Sequence, residues 1–357
     1  MNALRFTRFA AALVVALSVT AAHAQAIDWV TVGDPGNAAD TTGNPNPAGA
    51  VAASFRIMKY EFTNQLYTDF LNSVDAGGTN PYSVYNDNMG SNARGGISVT
   101  SGSASGSKYA VKTNMGDKPV NYVSWFDAAR VSNWLMNGAT SSSSTETGAY
   151  TLVGGQTSGT APAVNPGATF YIPTENQWYK AAYYKGSGTN AGYYDYATQN
   201  DTTPTAVSAT TVGTGTSGGV SPLISGNFAN YKAAANWNGE EYGNVTTVGT
   251  NGGPSAYGAF DMSGNVFEWN DLTGAAGSSR VFRGGDYYYG NAVNLSSAYR
   301  DAGVDPARES FAIGFRLASP ASGPSGVPEI DPAGIGSVLG VVCGALGLLE
   351  RRRVKAA

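Results

Sequence analysis

The sequence predicts a single coil-rich α+β domain, and three observations carry that expectation. Helical periodicity occurs in only three segments, and each opens on a Ser or Thr that can cap it. The apolar runs between them are short and bounded by Gly, Pro, Asn and Ser, the pattern of brief strands and turns. Long polar stretches at 86–117, 138–168 and 185–226 carry neither periodicity and require ordered loop.

Strands are expected at 27–32 and 51–58, separated by the turn residues Asp34-Pro35-Gly36 and Asn44-Pro45-Asn46-Pro47. Thr63 caps a helix from Asn64 to about Val74, with Leu66, Phe70, Leu71 and Val74 on one face. Ser124 starts a second helix to about Asn137, where Gly138 stops it. Thr174 caps a third, to about Tyr184, with Glu175 favouring the positive end of the helix dipole. A hairpin is expected inside 86–117, and short aromatic stretches between glycine clusters fill 227–318.

Charged residues make up 13% of the chain and the net charge is -4, which excludes the clustered basic surface of a nucleic-acid binder. With 42% apolar residues the chain can still bury a sizeable core, so it is not disordered as a whole.

The two ends carry targeting signals. Arg5 and Arg8, the apolar run Ala10 to Val19 and the small-x-small site Ala22-His23-Ala24 read as a signal peptide over 1–24, the alternative being an N-terminal anchor. Near the other end, Ala333 to Leu349 is an uncharged apolar stretch of 17 residues, followed by Arg351, Arg352, Arg353 and Lys355. This is expected to form a short membrane helix with its basic end in the cytoplasm. Val327-Pro328-Glu329-Ile330, the apolar helix and the arginine cluster together resemble a PEP-CTERM sorting signal over 327–357, joined to the domain 25–320 by a linker at 321–326. A plain C-terminal anchor is the alternative. The resemblance implies an exosortase-type sorting protease as partner, passage through the inner membrane of a Gram-negative bacterium, and a final place at the cell surface or outside the cell.

The only Cys is Cys343, in the apolar tail, and the only His is His23, in the signal peptide. A processed domain therefore holds neither type. It cannot form a disulfide, a Cys or Ser-His nucleophile, or a zinc, copper or iron site built on thiolate or imidazole. Oxygen ligands, amides, aromatics, Lys and Arg remain.

Five segments in order carry a further resemblance. They are Tyr60-Glu61-Phe62-Thr63-Asn64, Pro119-Val120-Asn121-Tyr122-Val123-Ser124-Trp125, Pro173-Thr174-Glu175-Asn176-Gln177-Trp178, the run Gly258 to Trp269, and Arg283-Gly284-Gly285 closed by Ile313-Gly314-Phe315-Arg316. Spanning about 55–318, they resemble the sulfatase-modifying-factor family, which includes formylglycine-generating enzymes. The resemblance implies their coil-rich α+β fold, related to C-type lectins. Read as residues alone, Trp125, Trp178 and Trp269 are core aromatics, Glu175 a helix-start carboxylate, and Arg283, Arg300 and Arg316 partners of carboxylates or carbonyls.

Enzymes of that family carry two cysteines after the Gly-Gly segment, for copper and oxygen chemistry. The corresponding positions here fall near Tyr289 and Asn294, and the iron-using relatives draw on histidines that are also missing, so neither copper nor iron is expected. The resemblance leaves calcium, implying a site at Asp261, Gly264, Val266 and Glu268 and a looser one at Asn230 and Tyr231 with acids near Glu240 or Glu241. Without the thiols, the old active-site groove, lined by Tyr287, Tyr288, Tyr289, Asn291 and Asn294, is expected to bind polysaccharide or a surface protein. The competing expectation is an enzyme of other chemistry using Asp286, Asp301 or Glu309 as acid or base.

Overall fold

The three predicted helices form where capping and periodicity place them, at α1 (Asn64–Val74), α2 (Trp125–Met136) and α3 (Glu175–Tyr183). Thr63 accepts from the Leu66 N–H, while Ser124 and Thr174 each close a reciprocal capping box, with Asp127 and Gln177. The computed structural model describes residues 27–322. The expected signal peptide 1–24 and the sorting tail 327–357 with its helix 333–349 lie outside the described residues, and the linker does so in all but its first two positions. Among the described residues no helix is long and apolar enough to cross a membrane.

The strands at the chain's start pair antiparallel, β1 (Trp29–Val32) on β2 (Phe55–Met58), with Trp29 opposite Met58. A second sheet of four strands comprises β3 (Phe267–Asn270), β4 (Arg280–Arg283), β5 (Asp301–Val304) and β6 (Ile313–Gly314), ordered β5-β4-β3-β6. β6 runs parallel to β3, whereas β4 runs antiparallel to it. The last strand, β7 (Ala318–Pro320), returns to the other edge of β2 and closes the first sheet across most of the described chain, Pro320 opposite Phe55. The expected hairpin within 86–117 is Ile97–Val99 on Tyr109–Val111.

β3 explains how the core and the centre are divided. Its side chains alternate. Phe267 and Trp269 face the main core and meet Phe282 of β4 at 4.9 and 5.5 Å between ring centroids. Glu268, on the opposite face, meets Trp178 of α3. Trp125, Trp178 and Trp269 are fully buried, as expected of core aromatics.

A charged centre and an aromatic cleft

The buried face of β3 is charged. The Arg316 guanidinium grips both carboxylate oxygens of Glu268 at 2.6 Å and donates to the carbonyls of Met58 and Phe260. The Trp178 indole N–H adds a 2.8 Å bond to Glu268 Oε2. Glu61, also fully buried, accepts from the Asn265 side chain at 2.7 Å and from the Val266 N–H at 3.2 Å. Asp261 accepts from the Gly249 N–H and the Asn251 amide. Burial, then Asp261 and Glu268, hold the Glu61 carboxyl well above the usual range. Burial raises Asp261 as well. Three buried carboxylates thus share one guanidinium.

This arrangement sets the expected calcium residues Asp261 and Glu268 against protein donors. Every carboxylate oxygen of the two already has a donor, and the positive charge between them is Arg316. Gly264 and Val266 are close by because Gly264, at φ +92, lets the chain pass against Asn230, whose carbonyl oxygen would lie 2.4 Å from an added Cβ. Their N–H groups donate to the Gly284 carbonyl and to Glu61, bonds that do not engage their carbonyl oxygens, the atoms a cation would use. Among the described residues there is no group of three or more Asp, Glu, His or Cys placed to hold a metal. The looser set also meets protein partners. Glu240 is bound to Arg94 at 2.6 Å, and the Tyr231 hydroxyl donates to the Pro204 carbonyl. The Asn230 amide donates to Asn244, Thr246 and Asn265, yet its Oδ1 is buried without a partner. That oxygen is open to a hard cation.

Glu175, the first residue of α3, does more than favour the helix dipole. It is bound by Arg283 at 2.7 Å and by Arg300 at 2.6 Å. Arg283, Arg300 and Arg316 therefore all pair with carboxylates, within the expectation of carboxylate or carbonyl partners.

Gly284 and Gly285 release the chain from β4 into the tyrosine run. Tyr287 is fully buried and its hydroxyl donates to the Phe311 carbonyl. Tyr288 is half-buried, its ring edge-on to Phe311 at 5.2 Å with the Arg94 guanidinium over it. Tyr289 is 49% exposed. Asn291 caps the short 3-10 turn Ala292–Leu295. Of the expected five-residue groove, Tyr289 and Asn294 line one cleft together, and Tyr287, Tyr288 and Asn291 lie outside that lining. Most tyrosines turn inward because their rings fill the gaps between loops that no regular element covers.

The cleft, of about 250 Å³, has walls of Phe267, Phe282, Tyr289 and Tyr299, with Asn294, Ser310, Asp301 and Arg308 supplying polar atoms. Arg308 is exposed and lies over the Phe282 ring at 5.6 Å. Sequence reasoning missed Phe267, Phe282, Tyr299 and Arg308 as cleft residues. They come from β3, β4 and the loops around β5, and no local pattern joins them. The described residues contain no Cys and no His, so copper or iron held by thiolate or imidazole does not fit this cleft.

A family model described as the sulfatase-modifying factor enzyme 1-like domain matches residues 19–321. The chain belongs to this family. Its fold of few helices, small mixed sheets and much coil is the sulfatase-modifying-factor fold. Similar solved structures include Treponema denticola variable protein 1, 19% identical over 82% of this chain and 94% of that one, with a TM-score of 0.43. CarF is 21% identical over 83% of this chain and 99% of its own, TM-score 0.44. PvdO from Pseudomonas aeruginosa is 18% identical over 82% and 92%, TM-score 0.40. Likenesses this distant carry nothing about activity. No curated protein matches the chain.

Asp286 lies beneath the tyrosine run. It is 1% exposed, accepts the Tyr288 and Tyr289 N–H groups on Oδ1, and leaves Oδ2 buried without a partner. Burial pushes its carboxyl up to about 6. Because the folded value exceeds the ordinary carboxylate value of about 3.9, its contribution to stability is full below about pH 4 and is lost as pH rises through about 6. Asp286→Asn keeps the Oδ1 acceptor and cannot ionise. It should raise the free energy of denaturant unfolding at pH 8 by about 2 kcal/mol and leave it nearly unchanged at pH 4. Equal effects at both pH values would contradict this assignment.

Proposed function

We propose that this protein is an exported, non-catalytic binding module of the cell surface or extracellular matrix, and that its cleft holds a neutral, hydroxyl-rich polysaccharide. The observation that carries the reading is the cleft's chemistry: four aromatic walls beside amide, hydroxyl, carboxylate and guanidinium groups, in a domain without thiol or imidazole. Flat rings cover the apolar faces of sugar rings, while Asn294, Ser310 and Asp301 are suited to their hydroxyls. Asp301 balances Arg308, so the cleft has no net charge to favour a polyanion. A relationship of the scaffold to C-type lectins belongs to the same reading.

Export and surface placement rest on the expected signal peptide and on the PEP-CTERM-like tail, which an exosortase-type protease would remove. Calcium enters as a structural cation. Its support is the open Asn230 Oδ1, beside Tyr231. Hard cations take about six to eight oxygens, so backbone carbonyls would supply most of the rest. Added calcium should raise Tm, and Asn230→Ala should abolish the rise; no shift in millimolar calcium would discard the cation.

A second reading has one observation in its favour. Asp286 keeps a proton to about pH 6, and burial, then Asp301 and Asp286, raise the Tyr299 phenol, so two carboxyl groups lie near one cleft wall. Glu309, pushed up to about 7 by burial and by Asp127, stands outside the lining. A hydrolase of that kind would shorten the polymer it binds. Retention of the chain on gels containing neutral polysaccharide, with the polymer length unchanged after incubation, is the expected result. Shortened polymer would favour hydrolysis, and retention on protein partners alone would replace the sugar ligand with a surface protein.

A further inference from the structure

A second cleft of about 250 Å³ lies on the other flank of the segment that carries Asn294 and Tyr299. Its lining includes Thr41, Thr42, Asn190, Tyr193, Tyr194 and Asp195, drawn from the β1–β2 connection and the loop after α3. The chemistry repeats that of the first cleft, with two phenol rings, hydroxyls, an amide and a carboxylate. Asp40 is already committed, to the Tyr179 hydroxyl at 2.6 Å and to Thr42, and the Tyr193 hydroxyl donates to the Ala38 carbonyl, so the groups left for a ligand are the side chains of Thr41, Asn190, Tyr194 and Asp195.

The two clefts are held at a fixed separation. The Ser297 N–H donates to the Asp195 carbonyl at 2.8 Å, and the Asn44 N–H to the Ser297 carbonyl at 3.3 Å. Arg283 then joins the two sides, donating to the Asn44 carbonyl and, at 2.7 Å, to that of Tyr299. Ala298 is exposed on the ridge between them, and a small side chain there leaves a path for a ligand to cross. Each cleft is smaller than the roughly 300–1,000 Å³ of a site that encloses a whole ligand. Each is sized for part of a chain.

We propose that the ligand is a polymer bound at both clefts at once, crossing the 296–300 ridge. This rests on the reading of the first cleft as a polysaccharide site and extends it to ligand length. The rigid ridge makes engagement of the second cleft intramolecular once the first is filled, which multiplies affinity without a stronger contact at either.

The test uses the full chain, with disaccharides and long oligomers of the same neutral glucan as probes, and reads binding by saturation-transfer NMR and calorimetry. Long oligomers are expected to bind about tenfold or more tightly than disaccharides. Tyr194→Ala, which removes a half-buried ring of the second cleft's lining and keeps the backbone bond to Tyr183, should return long oligomers to disaccharide affinity while leaving disaccharide binding in place. Retained disaccharide binding also shows that the variant is folded. Equal affinity for both lengths, or long-oligomer affinity untouched by Tyr194→Ala, would overturn the two-cleft proposal alone. Absence of binding at any length would overturn the first-cleft reading and this one with it.

Discussion

Arg316→Met is expected to destabilise the protein by about 4 kcal/mol, lowering Tm by roughly 10 °C. Arg316 is fully buried and supplies, among the described residues, the one guanidinium bonded to Glu268, with Glu61 and Asp261 close enough to feel its charge. Removing it leaves the Glu268 carboxylate in a low-dielectric interior with one indole N–H, and the three acids repel one another unrelieved. A Met of similar reach fills much of the space, so the loss reports charge rather than cavity. Removing the partner as well, in Glu268→Leu/Arg316→Met, should cost less than the single change, because a buried pair replaced by apolar groups leaves no uncompensated ion. Thermal and urea denaturation measure both. A loss under about 1 kcal/mol for Arg316→Met would contradict the central role given to this ion pair.

The second large effect concerns the ligand. Tyr289→Ala is expected to weaken polysaccharide binding by about 2 kcal/mol, roughly 30-fold, with little change in Tm. The Tyr289 ring is exposed on the cleft wall, while its backbone groups, bound to Asp286 and Lys232, survive the substitution. Tyr287→Ala makes the contrast. That ring is fully buried, so the change should lower Tm by several degrees through the cavity it leaves. Calorimetric titration paired with thermal unfolding separates the two; an unaltered affinity in Tyr289→Ala would remove the cleft from the binding account.

What was legible in the sequence follows from range. The helices could be read because Thr63, Ser124 and Thr174 cap locally and the apolar spacing that follows is local too. The family could be read because its motifs are contiguous. The sheet closures could not be read, since β7 and the parallel β6 depend on partners far away in the chain and are only three and two residues long. The tyrosine run was misread for a related reason. Successive residues after Gly285 face different surroundings, so Tyr287, Tyr288 and Tyr289 go from buried to exposed within three positions. The acids of the expected calcium set were visible as residue types, but their partner Arg316 lies 48 positions beyond Glu268, and only the fold brings its charge to them.

The expectation that family-type redox chemistry is lost is tested most directly by incubating the chain with copper(I), oxygen and a cysteine-containing peptide and following the peptide by mass spectrometry. With no thiol or imidazole in residues 27–322, the peptide cysteine should be recovered without conversion to an aldehyde beyond the copper-only blank. Copper-dependent aldehyde formation that requires the folded protein would contradict the account.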